Sequence, residues 1–314
     1  MKRLIIIVLL LTLLTAFGCR AEEVSSAVDF LCDTVVTIRA YAPQATVDSA
    51  MQLAHDYEKV LSKTIEGSDV WNLNHANGEP VEVNPETAEV LLLAIEIAES
   101  CGGAFDVTVA PVTELWDFTA DKPTLPDAKA LSDAAALVDY HKIQIAGNSV
   151  TLQNGAQLDL GGIAKGYIAD RVAAYLKDQG VTHACINMGG NILVFGGKPD
   201  GSPWSIGVRN PNGTAEQSEE VLYLHDGAVV TSGNYERCFD LDGVRYHHIL
   251  NPKTGMPVQN GLASVTIRSE QSALADALST TCYVLGPEAS EEILNQYGAT
   301  AIFLLENGTR IEIA

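Results

Sequence analysis

The sequence predicts an α+β fold in which mixed sheets pack against helices. Stretches with helical spacing of apolar residues and β-rich stretches follow one another without strict βαβ alternation. No repeat, linker or low-complexity tract divides the chain. Its 314 residues, 47% of them hydrophobic, are enough to bury a large core. We therefore expect a single folded domain after the N-terminal segment.

The N-terminus resembles a bacterial export signal of the lipoprotein type. A dibasic start precedes an apolar run, residues 4–14, which is too short to span a bilayer comfortably. Cys19 then follows Gly18, as in a lipobox, although Phe17 stands where a small or branched residue is usual. We expect residues 1–18 to be removed and Cys19 to carry lipid. Cleavage by an ordinary signal peptidase is the alternative.

The charge and the cysteine content argue against several classes of partner and site. The chain carries 19 basic and 40 acidic residues, a formal net charge of −21. Such a surface repels phosphate backbones, so we expect no nucleic-acid partner. The six cysteines are widely spread and form no C-x-x-C pair, which argues against a disulfide framework and against a zinc site.

In the first half of the chain, β-branched runs alternate with helical spacing. A β-rich run predicts a strand over 34–41, and apolar spacing predicts a helix over 47–61. A second helix, over 87–100, is closed by two glycines. An alanine-rich stretch predicts a short helix over 128–137, and short strands are expected around 142–145 and 149–152.

The second half begins with a glycine-containing unit. Alternation of apolar and polar residues predicts a half-buried strand over 155–160, and helical spacing begins at Ala164 and stops at Gly180. The remaining elements are a β-rich stretch over 185–231, a helix over 273–285 and a terminal strand pair over 299–305 and 309–313.

The segment DLGGIAKGY, residues 159–167, joins the predicted strand to the predicted helix. Glycines at such a junction let the backbone approach a ligand, and a helix N-terminus offers free N–H groups and partial positive charge. We therefore expect the N–H groups of residues 161–164 to face a phosphate or pyrophosphate. The segment matches neither standard nucleotide fingerprint, and a plain turn that requires glycine is the alternative.

The helix over 273–285 carries a second candidate site. Its apolar residues form one stripe, and Asp276 and Thr280, four residues apart, lie on the opposite face. A carboxylate and a hydroxyl one turn apart can hold a hard cation such as Mg²⁺, with phosphate oxygens and water completing the shell. A capped, solvated surface helix is the alternative.

Further polar segments have the pattern of turns when they are taken alone. GAFDVTVAP, residues 103–111, follows a helix, and NMGGN, residues 187–191, has the pattern of a hairpin turn. In YHHILNPKTGMP, residues 246–257, adjacent strand residues point to opposite faces, so the histidine pair does not form a metal site. One imidazole could still face a pocket.

Together these segments resemble the ApbE-type FAD:protein FMN transferase family. The match covers residues 19–314 in order, through segments 32–34, 103–111, 159–167, 187–191, 231–237, 246–257 and 273–281. The resemblance implies a single FAD-binding domain with the fold of that family. It also implies export as a lipoprotein, anchored on the outer face of the cytoplasmic membrane or on the periplasmic side. The implied activity is Mg²⁺-dependent transfer of FMN from FAD to a threonine hydroxyl of a partner protein, through a phosphoester bond, with release of AMP.

The resemblance assigns roles residue by residue. Asp276 and Thr280 match side-chain metal ligands, and Gly162 matches a main-chain carbonyl ligand. His248 matches the histidine held near the transferred phosphate, where an imidazole of ordinary pKa, about 6.5, could accept the threonine proton. The positions that line FAD are Cys32, Ala104, Phe105, Asp106, Asp159, Lys165 and Leu250.

Three positions depart from the family pattern. Cys32 stands where methionine is usual, and Asn234 and Asn251 stand where aspartate is usual. We expect the cysteine to weaken packing on the flavin ring and the asparagines to remove charge near the site. None of these changes removes a predicted metal ligand.

Three other functions compete with transfer. A Mg²⁺-dependent FAD pyrophosphatase would use water as acceptor and release FMN and AMP. A non-enzymatic flavin-binding lipoprotein would keep the cleft without needing the cation. A nicotinamide oxidoreductase is least supported, because no G-x-G-x-x-G is present in the strand–helix unit. The expected protein partner is an acceptor flavoprotein, such as a subunit of a membrane redox complex.

Overall fold

An eight-stranded antiparallel sheet forms the centre of the molecule. The computed structural model describes residues 24–118, 120–211 and 218–314. Within them the strands of this sheet lie in the spatial order β1 (Val24–Leu31), β2 (Thr34–Tyr41), β6 (Ala184–Met188), β7 (Asn191–Phe195), β10 (Gly227–Gly233), β13 (Leu262–Ser269), β14 (Thr300–Leu305) and β15 (Arg310–Ile313). All neighbouring pairs are antiparallel. The predicted signal, residues 1–18, and Cys19 lie outside the described residues.

Helices cover one face of this sheet and confirm the predicted α+β class. The described helices are α1 (Gln44–Leu61), α2 (Asp69–His75), α3 (Pro85–Ser100), α4 (Ala110–Thr113), α5 (Ala128–Ala135), α6 (Ala164–Asp178), α7 (Ser272–Leu285) and α8 (Pro287–Tyr297). Of these, α1, α6, α7 and α8 contact the strands of the large sheet. The predicted helices are therefore found within a few residues of their expected bounds. Of the helices that the structure describes, none is long and apolar enough to cross a bilayer.

Helix α7 is the central helix, and it is buried almost all round. It packs on β10 and β13 and also contacts α6 and α8. Ala275 and Leu278 are fully buried, and Asp276, on the face opposite the apolar stripe, is only 4% exposed. The alternative of a solvated surface helix is therefore excluded, because α6 covers the side of α7 that faces away from the sheet.

Small sheets complete the structure. They are β3 (Val81–Glu82) with β5 (Ser149–Leu152) and β4 (Ile143–Ala146), β8 (Trp204–Arg209) with β9 (Ser218–Leu224), and β11 (Cys238–Leu241) with β12 (Val244–His247). Trp204 and Leu224 of the β8–β9 ribbon form a cluster with Val194 and Val229 of the large sheet. Leu193 and Val230, their neighbours in sequence, belong to the main core. The ribbon therefore packs on the sheet face opposite the helices.

The strand predicted over 155–160 is not a strand. Alternating burial is present, but the described backbone of this segment forms a single bridge, a parallel one between Gln157 and Val109. The side chain of Asn74 takes the place of a neighbouring strand: its Oδ1 accepts from Leu158 N at 2.6 Å, and its Nδ2 donates to Leu158 O at 2.9 Å. Asp159 N donates to Val107 O at 2.8 Å. The segment is half-buried, as predicted, but it does not belong to a sheet.

Candidate active site

The glycine loop before α6 uses most of its N–H groups internally. Gly161 N donates to Asp159 Oδ1 at 2.9 Å. Ile163 N and Ala164 N both donate to Leu160 O, at 3.0 and 2.8 Å. The prediction that residues 161–164 present a row of free amides to an anion was therefore wrong for three of these four residues. The loop is a self-bonded turn that fixes the start of α6.

The N-terminal turn of α6 lies directly against α7. A side chain at Gly166 would begin 2.2 Å from Ser272 O, so only glycine allows this approach. Gly166 N donates to Asp276 Oδ2 at 2.9 Å. This places the Asp276 carboxylate at the positive end of α6, where a helix dipole favours a negative charge.

Gly162, Phe105 and Thr280 meet one turn further along α7. A side chain at Gly162 would begin 3.1 Å from Cε2 of the Phe105 ring and 3.5 Å from Thr280 Oγ1. Ser279 Oγ and Thr281 Oγ1 each donate back to a carbonyl of their own helix, at 2.8 Å. Thr280 Oγ1 makes no such bond to any residue that the structure describes. The three residues assigned to a cation by resemblance thus lie on facing segments, one helical turn apart.

These donors fit a hard, oxygen-binding cation. They are one carboxylate, one hydroxyl and one main-chain carbonyl, and Mg²⁺ typically keeps several waters and substrate phosphate oxygens beside such a set. Among the described residues, no three His, Cys, Asp or Glu side chains converge as metal ligands. The set would therefore suit an ion that arrives with a phosphate-bearing substrate better than an ion enclosed by protein alone.

Asp159 is held by a lysine that the sequence analysis missed. Lys63 Nζ lies 3.0 Å from Asp159 Oδ2, and Thr113 Oγ1 donates to the same oxygen at 3.0 Å. Burial by itself raises the pKa of Asp159, but Lys63, Gly161 N and Thr113 together bring that pKa below its ordinary value. Asp159 is therefore a carboxylate at neutral pH. The only sequence signal for Lys63 is that the chain has few basic residues, so each one is a candidate partner for a carboxylate or an anion.

Asp106 holds a loop together. Its Oδ1 accepts from Thr108 N and Thr108 Oγ1, at 2.8 and 2.7 Å, and its Oδ2 accepts from Tyr140 N at 2.9 Å. Burial raises the pKa of Asp106, and these hydrogen bonds oppose the rise. The Asp106 side chain therefore shapes the segment that places the buried residues Ala104 and Phe105.

Cys32 and Asp33 form the two-residue turn between β1 and β2. Their φ angles are 52° and 56°, in the left-handed region that non-glycine residues rarely adopt. Cys32 N donates to Glu58 Oε1 at 2.5 Å. Burial, followed by the charge of Glu58, raises the pKa of the Cys32 thiol to about 12, and Lys165 acts in the opposite direction. Cys32 is therefore a neutral thiol that lies near Lys165.

Lys165 Nζ donates to Gly161 O at 3.0 Å, and its charge also acts on His248. Burial, then the neighbouring His247, Lys165 and Arg237, lower the pKa of His248 to about 3. Its Nδ1 is buried without a hydrogen-bond partner among the described residues. The expectation of an ordinary pKa was wrong, and His248 is a neutral imidazole at physiological pH.

His247 is the last residue of β12, and His248 follows it in a bend. The Nε2 of His247 lies 2.9 Å from Val258 O, Ile249 N donates to its Nδ1 at 3.3 Å, and its ring forms a T-shaped pair with that of Tyr283. His247 is 2% exposed. It is a fully packed structural residue.

The two asparagines that depart from the family pattern have structural partners. Asn234 Nδ2 donates to Leu262 O at 3.2 Å and to Glu306 Oε1 at 2.9 Å. Asn251 Oδ1 accepts from Lys253 N at 3.0 Å and so closes a turn. Leu250 lies beside this turn, in a separate hydrophobic cluster with Trp116 and Leu131.

The sequence of this chain matches a known family over most of its length. Residues 32–303 match the sequence model of the ApbE family. This chain belongs to the ApbE family. The family resemblance inferred from the seven segments is therefore confirmed.

ApbE relatives are similar over most of their length. The FAD:protein FMN transferase of Treponema pallidum is 37% identical over 309 residues, which cover 91% of this chain and 85% of the relative. That of Klebsiella pneumoniae is 35% identical and covers 88% of each chain.

Solved ApbE structures share the fold. The ApbE protein of Thermotoga maritima superposes with a TM-score of 0.86 at 35% identity, covering 92% of this chain and 96% of the other. The flavin transferase ApbE of Vibrio cholerae gives a TM-score of 0.83 at 28% identity, covering 93% and 97%. The arrangement of sheets packed with helices is therefore the ApbE fold.

Proposed function

We propose that this chain transfers FMN from FAD to a threonine hydroxyl of a partner protein, with Mg²⁺, and releases AMP. The names of the relatives support flavin transfer from FAD to protein. The proposed role of Mg²⁺ and of the pyrophosphate rests on one observation: Gly162, Asp276 and Thr280 come together at the start of α6. This oxygen set suits a cation that arrives with a pyrophosphate.

Gly162 O, Asp276 and Thr280 would hold Mg²⁺. When bound, the ion would neutralise charge on the pyrophosphate oxygens and on the AMP that leaves. Lys165 adds a positive charge on the loop side of α6. The chain has a net charge of −21 and would repel an anionic dinucleotide. The ion and Lys165 would offset that repulsion at the site.

His248 would accept the proton of the acceptor hydroxyl. In the proposed reaction the acceptor threonine oxygen forms a bond to the phosphorus of the FMN half, and the bond from that phosphorus to the bridging oxygen breaks. The threonine proton passes to His248, and AMP leaves with the bridging oxygen. A neutral imidazole can accept that proton, and the negative pyrophosphate opposes the effect of Lys165 and Arg237 on the pKa of His248.

We also propose that Cys19 carries the lipid that anchors the mature chain at the outer face of the cytoplasmic membrane or on the periplasmic side. The support is the apolar run over residues 4–14 followed by Gly18 and Cys19. An acceptor that is a subunit of a membrane redox complex would then be within reach.

The test is incubation with FAD, Mg²⁺ and a threonine-bearing acceptor, followed by mass measurement of the acceptor and assay of AMP. We expect the acceptor to gain the mass of FMN bound as a phosphoester, and chelation to abolish the gain. Thr280→Ala is the matched inactive control. Release of AMP with an unlabelled acceptor would instead assign the chain as a FAD pyrophosphatase.

A further inference from the structure

The β1–β2 hairpin exposes an apolar face that no described element covers. Its outer face is formed by alternate residues of the two strands: Val24, Ser26, Val28 and Phe30 of β1, and Val35, Thr37, Arg39 and Tyr41 of β2. Val28, Phe30 and Val35 are 63%, 65% and 57% exposed. Contiguous apolar exposure of this kind marks an interaction surface.

The other side of the hairpin is covered, so this exposure is specific to the outer face. Helix α1 contacts β1 and β2 from the core side. On the outer side the β8–β9 ribbon reaches only as far as Tyr41, whose ring lies 6.3 Å from that of Trp204. The ribbon leaves Val28, Phe30 and Val35 bare.

The charge of this face differs from that of the chain. None of its eight residues is acidic and one, Arg39, is basic, although the chain has 40 acidic residues. Asp29 of the same strand points to the other side, where His55 of α1 binds it at 2.8 Å. A face with Phe, Tyr, Val and Arg and without carboxylates matches an anionic lipid interface.

The position of the face along the chain indicates the same partner. Val24, where β1 begins, follows Cys19 by five residues, which span at most about 18 Å when fully extended. A lipid at Cys19 would therefore hold the hairpin within that distance of the bilayer. A protein strand fits this edge less well, because Ser26 O and Phe30 N already have side-chain partners, Gln44 Nε2 and Asp29 Oδ1.

We infer that the outer face of the β1–β2 hairpin lies on the membrane surface when the chain is anchored. The inference rests on the anchor proposed at Cys19. The hairpin runs roughly 27 Å from Val24 to the turn at Cys32 and Asp33. Because that turn adjoins the candidate active site, the orientation places the site beside the membrane, facing acceptors that are themselves in the membrane.

The experiment compares two tryptophan variants of the full lipidated chain. Phe30→Trp reports on the outer face, and Tyr223→Trp, at a β9 position that is also 65% exposed, is the matched control. Each is reconstituted in vesicles of phosphatidylethanolamine and phosphatidylglycerol with brominated acyl chains. We expect the bromines to remove about half of the fluorescence added by the Phe30→Trp substitution and little of that added by Tyr223→Trp.

Other outcomes would overturn the inference. Equal quenching in both variants would mean that the tether holds the chain without orienting it. Without vesicles, the indole introduced by Phe30→Trp should stay exposed to water. Burial of that indole by a soluble acceptor protein, or by self-association at high concentration, would assign the face to a protein partner. A mass showing no lipid at Cys19 would remove the anchor. Flavin transfer measured on the same samples would be unaffected in each case, so failure of the orientation is distinct from failure of the proposed activity.

Discussion

Gly166 N donates a hydrogen bond to Asp276 Oδ2 at 2.9 Å, and this bond joins two helices across 110 residues of sequence. Asp276 is therefore both a candidate cation ligand and a structural acceptor. Thr280, one turn along α7, makes no side-chain hydrogen bond to a described residue. The two positions should consequently respond differently to truncation.

Asp276→Ala should abolish flavin transfer and also lower the free energy of unfolding, by about 1–3 kcal/mol, because it leaves the buried Gly166 N–H unpaired. Thr280→Ala should abolish transfer with little change in stability. The measurements are transfer rate against Mg²⁺ concentration and urea unfolding, with Thr281→Val as the neighbouring control. Full activity of Asp276→Asn at low Mg²⁺ would contradict the cation assignment.

His248→Ala should slow transfer to the acceptor by roughly 10²–10⁴-fold while FAD affinity stays nearly unchanged, since a positioned base contributes about that factor. His225, exposed at the start of a turn beyond β9, is the control position. His247→Ala is unsuitable as a control, because that ring is buried and bonded. Normal single-turnover transfer by the His248 variant would remove it from catalysis.

On the acidic side of its pH profile, kcat/KM should not fall with an apparent pKa near 6.5. That parameter reports the free enzyme, in which the pKa of His248 is lowered to about 3, so the imidazole stays neutral as the pH falls through its ordinary value. The pH profile of transfer, measured with a single acceptor at constant ionic strength, checks this expectation. A fall of kcat/KM at the ordinary histidine pKa that is absent in His248→Ala would contradict this expectation.

Lys63→Met should destabilise the fold by about 1–3 kcal/mol at neutral pH and weaken FAD binding. Asp159 has a lowered pKa, so its stabilising contribution is present above its unfolded pKa and is lost as the pH falls through the lower folded value. Without Lys63 the folded pKa rises towards or above the unfolded value, so the acid-dependent loss of stability should become smaller or reverse. Urea unfolding across the acidic range measures this, with the exposed Lys59→Met as control.

Cys19→Ala should release the chain from the membrane fraction or leave it unprocessed. The reason is that acylation requires the cysteine thiol, and a single apolar run of this length does not anchor stably. Fractionation and the mass of the mature N-terminus measure the outcome. A variant that fractionates and migrates like the original would favour ordinary signal-peptide cleavage.

Much of the fold follows from local patterns. Helical spacing located α1, α6 and α7 because each has a continuous apolar stripe, and the NMGGN segment forms the predicted turn between β6 and β7. The burial of residues 155–160 does alternate, as in a strand, but their backbone pairs with the Asn74 side chain and with residues 107–109 in place of a neighbouring strand. A pattern along the chain records which residues are buried, but not what pairs with the backbone.

The candidate site was less predictable, for the same reason. Burial of Asp276 depends on α6 crossing α7, and the low pKa of His248 depends first on its burial and then on the charges of other residues. Lys63 reaches Asp159 from a distant part of the chain, a separation that no local spacing encodes. Local chemistry predicted the kind of residues needed, while long-range packing determines their protonation and partners.

The contact at Gly166 has a thermodynamic consequence. Because Ser272 O lies where a side chain would begin, α6 and α7 meet backbone to backbone and cannot separate or slide without breaking the bond to Asp276. The candidate ligands are therefore ordered before any ion arrives, and little conformational entropy remains to be lost on binding. Ion affinity should then be governed by the ion's dehydration, and amide hydrogen exchange in both helices should hardly change on addition of Mg²⁺.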